Sequence, residues 1–355
     1  MNIFDYLLWR KDLSFYQSEL NEIDALIFSV ISYVEYDNII PSYPSKRKKL
    51  YRKCVDEVFK KTPKKEIKLG LLLPNNILDV AEECQRSERF GKIFVSNYIN
   101  RISLENEEQF CAITYHINDT LFICFRGTDD TLIGWQENLN MICEKTIPAQ
   151  YDSVKYINKV ASLYPDKQII IGGHSKGGNL SFYASIYCDK DVQKRIIKVY
   201  SFDGPGFFKK KLDKEKYHRI KSRLISYLPQ DSIVGQFFDL ISKKIVIRSN
   251  ARGVNQHDAL SWQIEGTHFI REKALTHRSI EIDKGITKLI SSLNIEERQK
   301  LSGEVWKFFS KLELDKLVQI KGNYRQLIRS TTTIDRKYRR FIISAILIFL
   351  KNGAI

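Results

Sequence analysis

Residues 168–188 read Gln168-Ile169-Ile170-Ile171-Gly172-Gly173-His174-Ser175-Lys176-Gly177-Gly178-Asn179-Leu180-Ser181-Phe182-Tyr183-Ala184-Ser185-Ile186-Tyr187-Cys188. The β-branched run Ile169–Ile171 follows the turn signal Tyr164-Pro165-Asp166-Lys167 and has the character of a buried central strand. Leu180, Tyr183, Ala184 and Tyr187 recur at helical spacing, so a helix begins just past Ser175. Between them lies Gly173-His174-Ser175-Lys176-Gly177, a G-x-S-x-G turn. In a strand-turn-helix setting this pattern lifts a serine hydroxyl off the end of the strand. Gly173 and Gly177 suit that geometry, because a Cβ at either place would collide with the adjoining strand or helix. The helix N-terminus would aim free backbone N–H groups at negative charge developing beside the serine. A glycine-rich turn carrying a solvated serine would show the same letters, so the partners of Ser175 must come from elsewhere in the chain.

Outward from this turn, strands and helices alternate. Lys92–Ile102 alternates apolar and polar residues. Phe110–Ile117 and Leu121–Phe125 flank a predicted three-residue hairpin loop, Asn118-Asp119-Thr120. Ala149–Tyr164 reads as a helix. Ile196–Phe202, Arg223–Leu228 and Lys244–Arg248 read as strands, and Trp262-Gln263-Ile264 is a candidate to close the sheet. Such alternation over about residues 110–265 predicts an α/β fold with a mostly parallel central sheet and helices on both faces. Residues 1–35, 46–62 and 76–84 read as helical, as does most of 280–351. The organisation expected is a helical N-terminal region at 1–90, a candidate lid or cap. A catalytic core at 91–270 and a helical C-terminal extension at 271–355 would follow.

With 355 residues and 43% hydrophobic content, the chain can build one large core with additions. Its formal net charge is +15, and the basic residues are clustered. Lys46–Lys68 holds eleven Lys/Arg against three acids, and Lys209–Arg223 holds eight against two. Arg336, Lys337, Arg339 and Arg340 precede the apolar run Phe341–Leu350. Such patches suit an anionic membrane surface, although a solvated helix face has the same composition. The run 341–350 is too short to span a bilayer and reads as a buried helix or, behind its basic cluster, an interfacial anchor, with burial favoured. No secretory signal is read at the start and no spanning helix anywhere. The six cysteines lack C-x-x-C spacing, which argues against zinc and a disulfide framework and fits a reducing, cytoplasmic compartment.

A serine nucleophile needs a base, an orienting acid and donors for the oxyanion. In hydrolases built on this turn the order along the chain is serine, acid, histidine. Two acids follow strands downstream: Asp203, after Val199–Phe202, and Asp231, after Leu224–Gln230. Asp203 opens the tight turn Asp203-Gly204-Pro205-Gly206 and reads as a turn or pocket residue. Asp231 stands one strand-helix-strand step later and is the favoured acid. Among the histidines, His257 occupies a loop after Lys244–Arg248 that can return over the nucleophile, and it is the favoured base. His268 is the alternative. His277 reads as a surface imidazole, His174 is expected to point away within the turn, and His116 and His218 are poorly placed. The oxyanion donors expected are the backbone N–H of Lys176 and, from the loop Phe125-Arg126-Gly127-Thr128-Asp129, Thr128.

Phe125-Arg126-Gly127-Thr128, Trp135 with Asn138-Leu139, and the Gly-Gly-His-Ser-Lys-Gly-Gly turn together resemble the class 3 lipases. The chain is more closely similar to the bacterial Mbeg1-like group, DUF2974, within the α/β-hydrolases. Ser201–Gly206, Pro229-Gln230-Asp231-Ser232-Ile233-Val234-Gly235 and Gln256-His257-Asp258-Ala259-Leu260-Ser261-Trp262 carry that likeness across about residues 1–270. The resemblance implies a Ser175, Asp231, His257 triad with Thr128 in the oxyanion hole. It implies hydrolysis of carboxylic esters without cofactor or metal and leaves the substrate open; lipid esters are the expectation, on the resemblance together with the basic patches. Two positions depart from the lipase pattern: Lys176 replaces a common leucine, and Asn138 replaces a usual aspartate. Lys176 is therefore a candidate cation at the pocket mouth, or a solvent-facing side chain. The rival expectation is an inactive scaffold that uses its basic patches to bind a partner, an anionic membrane or nucleic acid. Nucleic acid is not expected as a partner of the hydrolase.

Overall fold

The computed structural model describes residues 1–69, 73–129, 131–143, 146–208, 210 and 212–310. The strands are β1 (Lys49–Leu50), β2 (Phe94–Ser103), β3 (Glu108–Ile117), β4 (Thr120–Phe125), β5 (Gln168–His174), β6 (Ile196–Phe202), β7 (Leu224–Pro229), β8 (Lys243–Ile247), β9 (Ile264–Glu265) and β10 (His268–Phe269). The helices before the sheet's parallel half are α1 (Ile3–Arg10), α2 (Glu22–Ile31), α3 (Tyr51–Lys61), α4 (Ile77–Arg86), α5 (Glu88–Gly91) and α6 (Leu132–Met141). They are followed by α7 (Pro148–Leu163), α8 (Lys176–Tyr187), α9 (Lys190–Arg195), α10 (Lys214–Ile220), α11 (His277–Ser292) and α12 (Ile295–Ser310).

Strands β1 to β8 form one sheet in sequence order. Pairing is antiparallel from β1 to β4 and parallel from β4 to β8. Strand side chains alternate between faces, and the core divides accordingly. Leu121, Ile123 and Phe125 of β4 join Ile157 and Val160 of α7 and Leu180 of α8. Phe122 and Cys124 of the same strand join Ile23, Ile27 and Phe28 of α2. Burial on both faces explains why the central strands lack polar alternation. A sheet that grows in one direction through right-handed crossovers sends its connecting helices to one face. The N-terminal helix α2 supplies the opposite layer, with every residue from Ile23 to Ile31 buried.

The hydrolase-type α/β architecture is therefore present. Local departures from the sequence expectation have simple causes. Residues 46–62 divide into the two-residue strand β1 and helix α3. The β3–β4 turn is one residue shorter than expected, since Thr120 already pairs with Ile117. Asn118 takes φ 49°, a left-handed conformation that asparagine tolerates. Trp262–Ile264 does not close the large sheet. Trp262 makes an isolated bridge to Ser249, and Ile264 pairs with Phe269 in a separate two-stranded ribbon. The basic cluster at 336–340 and the apolar run at 341–350 lie outside the described residues.

Candidate active site

Ser175 links β5 to α8 with φ 57° and ψ −131°. That conformation is nearly closed to residues with a side chain and costs roughly 1–3 kcal/mol. Its persistence needs tight surroundings, and these are provided. A Cβ on Gly173 would lie 2.4 Å from the carbonyl of Gly177, and one on Gly177 would lie 2.0 Å from Phe125 O. The two glycines let the start of α8 press against the end of β4. Ser175 N–H donates to Phe202 O at 2.9 Å, which ties the turn to β6. The serine side chain is left at the carboxyl edge of the sheet, partly exposed.

His257 stands beside this turn. Its ring centroid lies 4.6 Å from that of His174, the residue before Ser175. Among the described residues no hydrogen bond joins the Ser175 hydroxyl to His257. In unliganded hydrolase sites such bonds often tighten only when substrate binds.

The carboxylate against His257 belongs to Asp203. His257 Nδ1 donates to Asp203 Oδ2 at 2.6 Å, and Asp203 is 1% exposed. A carboxylate partner sets Nδ1 as the protonated nitrogen and leaves Nε2 as the acceptor. Asp203 follows β6 directly, at φ 49°, and its N–H donates to Tyr227 O at 2.9 Å. Its Oδ1 accepts from the Ser232 hydroxyl and from Gly235 N–H.

The expectation that Asp231 occupies this place is corrected. Asp231 accepts from the Thr276 hydroxyl at the start of α11 and from Gly253 N–H at 3.2 Å. Its own N–H donates to Gln256 Oε1 at 2.7 Å. Asp231 therefore anchors the backbone of the loop that carries His257, not the imidazole. The motif around it still serves the pair, because Ser232 and Gly235 hold the other oxygen of Asp203.

His174 does not simply point away. Its Nε2 is 2.8 Å from His257 O, and its Nδ1 is 3.0 Å from Tyr33 Oη. A carbonyl can only accept, so Nε2 carries the proton and the Tyr33 hydroxyl donates to Nδ1. Burial, with His257 as a second cause, pushes the pKa of His174 well below its ordinary value and keeps the ring neutral. Tyr33, from the segment after α2, thus reaches the His257 loop through the turn itself. The other histidines lie apart. His268 and His277 are exposed, and His116 bonds Ser96 Oγ at 2.7 Å.

The loop after β4 meets the turn from the other side. A Cβ on Gly127 would lie 2.6 Å from His174 O, so glycine permits this approach. Thr128 Oγ1 accepts from Asn138 Nδ2 at 2.8 Å, which leaves the Thr128 hydroxyl proton for another acceptor. Lys176 N–H opens α8, where first-turn N–H groups have no partner within the helix. The Lys176 side chain lines no pocket mouth. It is 1% exposed and paired with Glu137 at 2.6 Å. A small cavity of about 70 Å³ lies further along α8, lined by Asn179, Tyr183, Tyr187, Phe207 and Phe238 among others. Among the described residues no group of His, Cys, Asp and Glu is arranged to hold a metal ion.

The Mbeg1-like sequence family matches residues 84–307, more than half of the chain, a span that holds Ser175, His257 and Asp203 but not Tyr33. The chain belongs to the Mbeg1-like family. No curated protein sequence matches it. Similar solved structures include a mutant form of MDLA from Penicillium cyclopium, at 12% identity and TM-score 0.38, over 72% of this chain and 87% of that one. The M37 lipase aligns at 16% identity and TM-score 0.37, over 60% of this chain and 68% of that one. The Rhizomucor miehei lipase–propeptide complex aligns at 14% identity and TM-score 0.34, over 50% and 70%. At such scores the roles in this Mbeg1-like chain must be argued from its own geometry.

In the sequence alone Asp203 ranks second to Asp231, and Glu137 and Tyr33 are not among the candidates. Asp203 is visible there as an acid directly after a strand, but its turn motif supplies a sufficient explanation. Glu137 announces itself only indirectly, through the unusual Lys176. For Tyr33 no sequence signal exists, since its partner is distant in the chain.

Proposed function

We propose that this protein hydrolyses carboxylic esters through Ser175, His257 and Asp203. The observation that carries this reading is the Ser175 turn with the His257–Asp203 pair beside it. A serine held in a strained turn next to a carboxylate-bound imidazole has the parts of a nucleophile, base and orienting acid. In the proposed reaction Ser175 Oγ bonds to the ester carbonyl carbon while its proton passes to His257 Nε2. The carbonyl electron pair moves onto oxygen, where Thr128 and Lys176 N–H donate hydrogen bonds. Collapse of this intermediate breaks the C–O bond, and His257 returns the proton to the departing alcohol. Water then repeats the sequence on the acyl-enzyme, releasing the acid and restoring Ser175. Asp203 stays ionised throughout and stabilises the imidazolium.

Asn138 supports the oxyanion assignment. A carboxylate there would accept the Thr128 hydroxyl proton, whereas an amide N–H donates to Oγ1 and leaves that proton for the oxyanion. Lipid esters are the substrate class we favour, supported by the aromatic cavity along α8. The basic surface supports peripheral contact with an anionic membrane. Among the described residues no helix is long and apolar enough to cross one. The cysteine usage supports a reducing, cytoplasmic setting.

The test is labelling by a fluorophosphonate probe together with hydrolysis of p-nitrophenyl esters of graded chain length. We expect both in the wild-type protein, with Ser175→Ala losing labelling and nearly all turnover. Equal turnover in Ser175→Ala would refute the assignment. Co-sedimentation with anionic and zwitterionic vesicles tests the membrane contact, which should weaken with added salt.

A further inference from the structure

Lys176 follows the proposed nucleophile, yet its side chain turns into the protein. Its ammonium donates to Gln109 O at 2.6 Å, to Gln109 Oε1 at 2.8 Å and to Glu137 Oε2 at 2.6 Å. Three donors meet three acceptors, so the buried cation is fully satisfied. Glu137 is 0% exposed and also fully engaged. Its Oε2 accepts from Gln109 N–H at 3.3 Å, and its Oε1 accepts from Ala149 N–H at the start of α7.

The pair has a particular place in the molecule. Lys176 carries on its own backbone one of the two proposed oxyanion donors. Glu137 sits on α6 immediately before Asn138, whose amide holds Thr128, the other donor. One ion pair therefore ties α8, which opens with one donor, to α6, whose Asn138 holds the loop residue that bears the other. Gln109 of β3 and Ala149 of α7 fasten the same carboxylate and ammonium to the rest of the fold.

We infer that Lys176 and Glu137 are positioning residues that set the spacing of the oxyanion donors, an inference that rests on the ester-hydrolase reading above. The pair supplies no charge to the reacting atoms. Its contribution is geometric: an oxyanion hole acts through donors held in place before the reaction, and a displacement of about 1 Å costs on the order of 10²-fold in rate.

Removing one partner alone leaves a buried charge and endangers folding. The informative variant is Lys176→Met/Glu137→Met, which replaces the pair by apolar side chains that fill similar space. It retains the backbone N–H at position 176 and all of Ser175, His257 and Asp203. We expect this variant to fold with a lowered melting temperature, because Gln109 and Ala149 lose buried partners, and to label to completion with the fluorophosphonate but more slowly, with KM little changed. Its kcat should fall about 10²-fold, and its affinity for a trifluoromethyl ketone, whose adduct places an oxyanion in the hole, should fall in parallel. A folded double variant with wild-type kcat and wild-type ketone affinity overturns the inference and leaves the hydrolase reading intact. A fall in kcat with KM raised and ketone affinity unchanged also overturns it. Absence of labelling and turnover in the wild-type protein overturns both proposals together.

Discussion

Two adjacent strand exits, at β6 and β7, each present an aspartate within reach of the same loop, and they use it differently. Asp203 leaves β6 in a left-handed turn and gives one oxygen to the His257 ring. Asp231 leaves β7 and gives its oxygens to Gly253 N–H and the Thr276 hydroxyl. One carboxylate orients an imidazole and the other holds the loop on which that imidazole rides. A carboxylate after a strand is thus not assigned by its step in the chain order. The assignment depends on which strand end the returning loop crosses.

The contrast is broken most directly by exchanging each acid for its amide. We expect Asp203→Asn to lower kcat by about 10⁴-fold, because the amide favours the wrong imidazole tautomer. Asp231→Asn should cost less than about tenfold in kcat, with a stability loss of about 1 kcal/mol from weakened loop bonds. Steady-state ester kinetics and thermal melts of the two variants decide between the strands. The reverse order of effects would return the orienting role to Asp231.

A second experiment asks whether the opposite side of the turn acts independently of the acids. Thr128→Val removes the hydroxyl donor but keeps the backbone and the branched shape. We expect a loss of about 10²- to 10³-fold in kcat with KM nearly constant. A variant at wild-type rate would leave Asn138 and Thr128 as ordinary packing.

The mildest effect concerns the histidines that the structure keeps neutral. Burial pushes the pKa of His116 down to about 3, with Lys48 and Lys167 adding to the shift, and burial lowers that of His174 as well. Both folded values lie below the unfolded value of about 6.5, so the unfolded chain binds protons first as pH falls. The contribution of His116 is complete above about pH 6.5 and is lost on acidification toward pH 3, and that of His174 is lost in the same direction. The expected slope is up to about 1.4 kcal/mol per pH unit for each histidine. Urea melts across this range check it, and His116→Gln should flatten the slope without altering the Asp203–Asp231 contrast.

Much of the fold can be read from the chain because its signals are local. The Ile169–Ile171 run, the paired glycines and the apolar spacing of α8 define a strand, a turn and a helix without reference to distant residues. The lifted serine follows from that sequence alone, since few other turns satisfy those constraints. His257 is also legible, because the loop containing it must return over the sheet edge. The N-terminal helices can be recognised, although the placement of α2 as the second layer cannot. That placement follows from where the crossover helices leave a face uncovered.

The sequence by itself determined the α/β core, the Ser175 turn and the candidate carboxylates and histidine downstream of it. Only the tertiary structure decided that Asp203 meets His257, that Asp231 anchors the loop, and that Lys176 turns inward to Glu137. Each of those choices is a contact between segments brought together by strand register and helix packing. Residue type and local spacing constrain the donors and acceptors available, but the geometry of the assembled sheet edge selects which of them meet.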